Sequence, residues 1–493
     1  MAVYGLGNIL VKALGFFMLP FYTHYLLPKD YGILEILDLS MSVFALVLNM
    51  GLPPALLRCY AAAKSPEEQR AVISTGCVFG LFTGLGTFAA GIWLVRPAAA
   101  LLFGGGVPAY YVLLSFSSMV LTYMAILPRT YLRALEKSAA FTIIDTTNVF
   151  LLLILNVIFI AGMKVGLVGV LWSSVISGGL QFLLLLGWAL RKAGVRFHMA
   201  HLRRMLAFGL PLIFANLGLF VLNFSDRFFL QHLRSLDAVG VYAVGYKFGY
   251  MMNYLFVQPF FIMWQSRMYA IHARPEHAKI FRQVFLFYSL GLIYAGLIVS
   301  LFSSGVIGAM VQARFAASAG IVPVVVLAYI FYGLSYYTQL GMFLTDRTKL
   351  VGVIGAGAAG LNLILNYFLI SSYGMMGAAW ATALSFAAIA ALSYVYSQRV
   401  YRLPLNVGRM AVALGLAASL YLLARELNPQ SMWTALGVKI AVLAAFPVVV
   451  WKSGLLPSSE AATLSSARNY AWNGFSRLVG AAFPKRGKSI GVA

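Results

Sequence analysis

Long apolar runs recur at nearly even spacing from one end of the chain to the other, joined by short polar connections. About 20 mostly apolar residues suffice for a helix to cross a bilayer. On that measure the pattern predicts fourteen spans, near 4–27, 31–57, 71–95, 108–128, 139–162, 166–190, 205–232, 237–266, 281–304, 318–343, 350–370, 375–397, 407–425 and 432–451. No soluble domain is read between them. The first run does not read as a cleavable signal peptide: it lacks a charged leading region and a small-residue cleavage site, and Lys12 and Pro20 interrupt it. The predicted class is an all-α polytopic membrane protein.

The connections alternate in charge. After spans 2, 4 and 6 stand Arg58, Lys64 and Arg70, then Arg129, Arg133 and Lys137, then Arg191, Lys192, Arg196, Arg203 and Arg204. After spans 8, 10 and 12 stand Arg267, Arg274, Lys279 and Arg282, then Arg347 and Lys349, then Arg399, Arg402 and Arg409. The intervening connections carry roughly one each, such as Lys29, Arg96, Lys164 and Arg314. Lys and Arg gather in cytosolic loops. Both termini are therefore expected in the cytosol, and the number of spans is even. Beyond span 14, at 401–455 with its partner span 13, residues 456–493 mix Trp472, Phe475 and Leu478 with basic residues. They read either as an amphipathic segment on an anionic inner leaflet or as a solvated tail.

Composition agrees with this picture. Of 493 residues, 61% are hydrophobic and 10% charged, where a soluble domain carries about 25% charged residues. Lipid is the solvent such a chain needs. The net charge of +23 would suggest nucleic acid in a soluble protein. Here it lies in the cytosolic connections, so it reports topology, and no nucleic-acid partner is expected. Cys59 and Cys77 are too few for a disulfide framework, show no metal-ligand spacing and read as small apolar fillers.

A repeat runs through the first 400 residues. Asn8 and Asn216, His24 and His232, and Gly32 and Gly240 are each 208 apart. "RCYA" at 58–61 matches "RMYA" at 267–270, and Glu136-Lys137 matches Asp346-Arg347. "LILN" ending at Asn156 matches "LILN" ending at Asn366, and "GVLWSSVIS" from Gly169 matches "GAAWATALS" from Gly377. Residues 1–200 and 201–400 thus read as two copies of a six-helix unit, with spans 13 and 14 outside the repeat. An even number of helices per copy makes it a parallel repeat about an axis along the membrane normal, and two such bundles normally rock about a cleft between them. Transport by alternating access is the function this implies.

The stretch "YGLGNILVKALGFFMLPFYTHYLLPKDYGIL" resembles the start of the polysaccharide transporter family, the Wzx-like flippases. "LAFGLPLIFANLGLFVLNFSDRFFLQ" followed by "GVYAVGYKF" resembles the start of that family's second half. The family sits in the multidrug/oligosaccharidyl-lipid/polysaccharide exporter superfamily with the MATE drug exporters and the lipid II flippases. The resemblance covers most of residues 4–400. It implies a protein of the bacterial or archaeal cytoplasmic membrane that is not an enzyme. It would turn polyprenyl-diphosphate-linked oligosaccharide from the inner to the outer leaflet for cell-surface polysaccharide synthesis. It would use an ion gradient, H+ or Na+, and no bound cofactor. The expected partners are the lipid-linked glycan, membrane lipids and the polysaccharide polymerase machinery. The absence of a Walker A loop agrees with this. "GAGAAG" at Gly355–Gly360 matches a dinucleotide fingerprint only literally, lying inside span 11 with no strand before it. Its small residues read as a close helix-packing surface.

Charge inside a bilayer costs about 2.5–3.5 kcal/mol on insertion scales and usually faces a cavity or a partner. Lys12 lies about 12 Å into span 1 at 1.5 Å per residue. It either snorkels to the headgroups or lines the cleft, as the first helix of each lobe does in the superfamily fold. Lys247 lies near mid-membrane in span 8, and its repeat mate at offset 209 is Asp38 in span 2. Three readings of that pair stand side by side: an ion pair that closes one side of the cleft, a division of labour in which Lys247 holds phosphate while Asp38 or Glu35 takes a coupling ion, and a static structural pair. Asp226 and Arg227 in span 7 are adjacent and expected to diverge, one toward the cleft and the other toward the interface. Asp145, beside Thr146, Thr147 and Asn148, reads either as gating or as a polar start to span 5. His24 and His232, at equivalent outer ends, read either as interfacial anchors or as a proton relay. The cleft cations are thus Lys12, Lys247 and Arg227, and the coupling or gating acids are Asp38, Glu35, Asp226 and Asp145, with no catalytic or metal-binding set. Against the flippase stand a MATE-like cation-coupled exporter, which would favour carboxylates and aromatics in its cleft, and a membrane glycosyl polymerase or ligase, which would need a sizeable outward loop.

Overall fold

The structure, a computed structural model, describes residue 16 and residues 18–403, 405–427 and 431–455, apart from the side chains at 214 and 215. Lys12, Asn8 and the tail after 455 lie outside the described residues. Among those described, the chain is almost wholly helical and contains no strand. In hydrocarbon every backbone polar group needs an internal partner, and the helix supplies it within one segment.

Eleven helices among the described residues are long and apolar enough to cross a membrane. The difference from fourteen has three sources. The predicted first span is described only from residue 16. Span 8 is helical through Leu236–Met252, a π-helical stretch Asn253–Val257 and Gln258–His272, but is not counted among the eleven. Spans 11 and 12 run together as Thr348–Val400, with a break in conformation at Gly374. Many large apolar side chains face outward, among them Trp93, Leu101, Phe82 and Phe368, far beyond what a water-soluble monomer exposes. The chain is a multi-pass membrane protein.

Backbone conformation recurs at the sequence offset in two places. Glu136 and Asp346, 210 apart, are both non-glycine residues at φ +55°. Gly166 and Gly374, 208 apart, turn the chain between helices at φ +59°, ψ −136° and φ +57°, ψ −131°, a region that L side chains rarely adopt. The two copies meet on a reciprocal contact of spans 2 and 8. A Cβ on Gly32 would stand 1.9 Å from the Leu236 carbonyl oxygen, and one on Gly240 would stand 2.0 Å from that of Pro28. Each residue of this foursome sits 208 from its counterpart, so the same patch meets itself as two-fold symmetry requires. At the end predicted to face the cytosol a second crossing joins the copies. A Cβ on Gly209 would lie 2.2 Å from the Met50 carbonyl oxygen.

The glycines of "GAGAAG" do not serve close packing: a Cβ on Gly355, Gly357 or Gly360 would meet nothing within 4 Å. Small residues permit close approach, but they do not bring a neighbour. The core also differs between the halves. Residues 201–455 share one large buried cluster built around Tyr242, Phe281, Tyr329, Tyr337 and Phe386. The buried residues of 1–200 fall mainly into three smaller clusters.

Candidate functional site

Span 2 presents Tyr31 and Glu35, one helical turn apart, to span 8 of the other copy. Lys247 Nζ donates to Tyr31 Oη at 2.6 Å, sits 4.8 Å from the centre of its ring, and lies 3.6 Å from Glu35 Oε2. Lys247 stands about 16 Å along its helix at 1.5 Å per residue, near the middle of a bilayer about 30 Å thick. Its side chain is nonetheless 47% exposed. A lysine at that depth, bonded across the contact of the two copies, is tolerable beside water in a cleft.

Lys247 faces span 2, as the repeat implied, but the carboxylate within ion-pair range is Glu35 and not Asp38. Asp38 is nearly one turn further along and opens instead into a cavity of about 410 Å³ between spans 2, 4 and 6, with Ser42, Asn49, Ser118 and Thr122 on its wall.

The expectation that Asp226 and Arg227 diverge is overturned. Arg227 Nη1 donates to Asp226 Oδ1 at 2.7 Å and to the Asn223 carbonyl oxygen, one turn back, at 2.8 Å. Successive residues do point about 100° apart on a helix, but the arginine stem is long enough to fold back along it. Both residues are buried, at 2% and 1% exposure, so neither reaches the interface and each needs the other's charge. The guanidinium lies 3.8 Å from the centre of the Tyr246 ring and 5.1 Å from that of Tyr242, an enclosure that favours a delocalised cation. Tyr242 Oη donates to Asp226 Oδ2 at 2.5 Å. The Tyr246 and Tyr329 hydroxyls meet at 2.6 Å, and Tyr329 donates to Asn223 Oδ1 at 3.0 Å. Arg227 Nε lies 3.9 Å from Glu35 Oε1. Two acids and two bases, Glu35, Asp226, Arg227 and Lys247, thus form one neutral group spanning both copies.

Asp145 is more than a polar helix start. It forms an ion pair with Arg129, where the helix of span 4 runs on to Ala134, in a second cavity of about 320 Å³ with Thr142, Thr146, Asn148 and Gln181. Both cavities share Ser118, Thr122 and Ser174, so a polar interior runs through spans 2, 4, 5 and 6. At the end predicted to face outside, Arg314 Nη2 donates to the carbonyl oxygens of Thr23 and His24, at 2.9 and 2.7 Å. The Gln312 side-chain amide Nε2 donates to the His24 ring Nδ1 at 2.9 Å. His24 therefore holds the two copies together, whereas His232, among the described residues, bonds to the Phe228 carbonyl of its own helix.

Sequence reasoning missed Tyr31, Arg314 and the tyrosines around Arg227. A signal for the last was present: Tyr242, Tyr246, Tyr250 and Tyr254 recur every fourth residue and so share one helix face. Among the described residues no three of His, Cys, Asp or Glu are grouped to hold a metal ion.

The family profile of polysaccharide biosynthesis proteins matches residues 1–263. Among solved structures, the fold is similar to "Lipid II flippase MurJ, inward closed conformation", with TM-score 0.72 and 14% identity over 92% of this chain and 99% of that one. It is similar also to an inward-facing multidrug resistance MATE family transporter of the MOP superfamily, with TM-score 0.61 and 15% identity over 80% and 94% of the two chains. An outward-facing form gives TM-score 0.53 and 14% identity over 81% and 94%. At these identities the likeness is one of fold. No curated protein matches the sequence.

Proposed function

The chain belongs to the polysaccharide biosynthesis protein family, and from that premise we propose that it is a flippase. Its cargo is a polyprenyl-diphosphate-linked oligosaccharide, moved from the inner to the outer leaflet of the cytoplasmic membrane. The observation that carries the reading is Lys247, a half-exposed cation at mid-depth on the contact between the copies. It offers a compact ammonium to a diphosphate, while the hydroxyls and amides around Asp38 offer hydrogen bonds to sugar. Rocking of the copies about the contact of spans 2 and 8 exposes the cation to each side in turn. Asp38, bordering a polar cavity, takes the coupling H+ or Na+, and Lys12 supplies a second cation to the cargo. Both termini lie in the cytosol, and the polysaccharide polymerase machinery receives the cargo.

Proteoliposomes test this. With the purified protein, a polyprenyl diphosphate bearing a fluorescent sugar should change leaflet under an imposed ion gradient. Lys247→Gln should lower the rate by about tenfold or more, as loss of a charge-assisted contact to phosphate implies. Efflux of a cationic dye with no movement of the lipid would replace the flippase by a drug exporter.

A further inference from the structure

Glu35 lies between two cations and is hydrogen-bonded to neither. It stands 3.6 Å from Lys247 Nζ and 3.9 Å from Arg227 Nε, where a charge-assisted N–H···O bond closes to about 2.7–2.9 Å. The short bonds of both cations go elsewhere, from Lys247 to Tyr31 and from Arg227 to Asp226 and Asn223. Arg227 Nε is buried and has no hydrogen-bond partner. An unmade bond on a buried charged group is costly, and Glu35 Oε1, 3.9 Å away, is a carboxylate oxygen within reach of it.

The cations differ in access. The Lys247 side chain is 47% exposed and that of Arg227 is 2% exposed. An anion arriving from the cleft therefore reaches Lys247 and not Arg227, whereas Glu35 borders both.

We propose that Glu35 is a switched carboxylate: it stands in for a phosphate near Lys247 in the empty protein, and it passes to Arg227 Nε when a diphosphate takes Lys247. The proposal rests on the flippase reading and adds how cargo moves the lobes. A phosphate on Lys247 repels the carboxylate. A shift of about 1 Å brings Glu35 to the bond length that Arg227 Nε needs. Glu35 belongs to span 2 and Arg227 to span 7, so the shift draws the two copies together at that level. Cargo thereby favours one arrangement of the lobes over the other, which is the condition for a ligand to shift a conformational equilibrium. No covalent or proton-transfer step is involved.

The test uses the full chain, with a short-chain polyprenyl diphosphate bearing a fluorescent sugar as probe and the matching monophosphate for comparison. Glu35→Gln removes the competing anion and the switch together. It should bind the diphosphate lipid about threefold or more tighter yet flip it about tenfold or more slower, a split that simple loss of a binding group does not produce. Removing Glu35 in a Lys247→Gln background should leave binding unchanged, because the competition has gone. Wild-type flipping by Glu35→Gln, or weaker binding by the folded variant, overturns the switch. Should Glu35→Gln fail to fold, Glu35→Asp keeps the charge on a shorter stem and should show the same split in milder form; wild-type kinetics there overturn the proposal equally. A wild-type protein that neither binds nor flips the diphosphate lipid removes the flippase reading itself, and so differs from failure of the switch alone.

Discussion

In residues 1–200 the Arg129–Asp145 pair borders open space, whereas in residues 201–400 the Asp226–Arg227 pair is sealed. Arg129 and Asp145 form their pair on the wall of a cavity, with Arg129 at 38% exposure. Asp226 and Arg227 form theirs at 2% side-chain exposure, closed over by Tyr242, Tyr246 and Tyr329. The same contrast holds in the cores, three apolar clusters with polar space between them against one continuous cluster. Backbone turns recur at the repeat offset, at Glu136 and Asp346 and at Gly166 and Gly374, although the break of span 2 at Met50 and Gly51 has no counterpart in span 8. A repeat thus conserves turns of the chain without conserving its chemistry. One copy can serve as a firm wall that holds cations in place while the other provides the wet, hydroxyl-lined surface.

The largest expected effect follows from that sealing. Arg227→Met leaves Asp226 charged and buried without its partner, and breaking a buried pair costs about 3–5 kcal/mol. The variant should be nearly absent from membranes, or should unfold far below the wild type in a thermal-aggregation assay of purified protein. Arg129→Met, at a partly exposed pair, should cost about 1 kcal/mol or less. Equal losses at the two sites would mean that the lobes do not differ as described.

The difference also explains what sequence could and could not reveal. Spans were legible because lipid forces the backbone into long apolar helices, and the repeat was legible because its offset stayed within 208–210. The partner of Lys247 was hidden for another reason. Offsets of 208–210 take Lys247 back to residues 37–39, whereas Glu35 stands 212 before it, so the repeat located span 2 while the contact fell nearly one turn away from the repeat mate. Adjacent residues with short side chains do diverge, which is why Asp226 and Arg227 read as separate. Their pairing is set by tertiary burial, and burial leaves no mark in a stretch where nearly every neighbour is apolar. Lys12, the residue whose charge stands out most in the sequence, lies outside the described residues.

A smaller effect tests the contact on which the comparison turns. The interiors of the copies differ, but the contact of spans 2 and 8 is reciprocal, with Gly32 on the Leu236 carbonyl and Gly240 on that of Pro28. Gly32→Ala and Gly240→Ala should therefore be equivalent. Each forces backbone apart, and overpacking of a close contact costs about 1–3 kcal/mol. Matched losses of thermal stability are expected, together with matched losses of lipid flipping. A clear inequality between the two would show that the contact is not two-fold.

The smallest effect compares a pair of repeat mates. Asn156 and Asn366 are 210 apart and both fully buried. Asn156 Nδ2 donates to Tyr22 Oη at 2.8 Å, and Tyr22 is only partly buried. Asn366 Nδ2 donates to Asn362 Oδ1 at 2.9 Å and to Ser225 Oγ at 3.2 Å, within a network that also takes in Ser385. Both asparagines carry a buried Oδ1 with no hydrogen-bond partner, so alanine at either position relieves one unmet group while breaking others. That offset keeps both effects small. Asn156→Ala frees a tyrosine hydroxyl with a route to water and should cost about 0.5–1.5 kcal/mol, the net worth of one ordinary hydrogen bond. Asn366→Ala removes a donor from a network with no such route and should cost about 1–3 kcal/mol. The midpoint of thermal aggregation should fall further for Asn366→Ala. If Asn156→Ala falls as far or further, the second copy is no more sealed than the first at this layer, and the contrast would then be confined to the neighbourhood of Arg227.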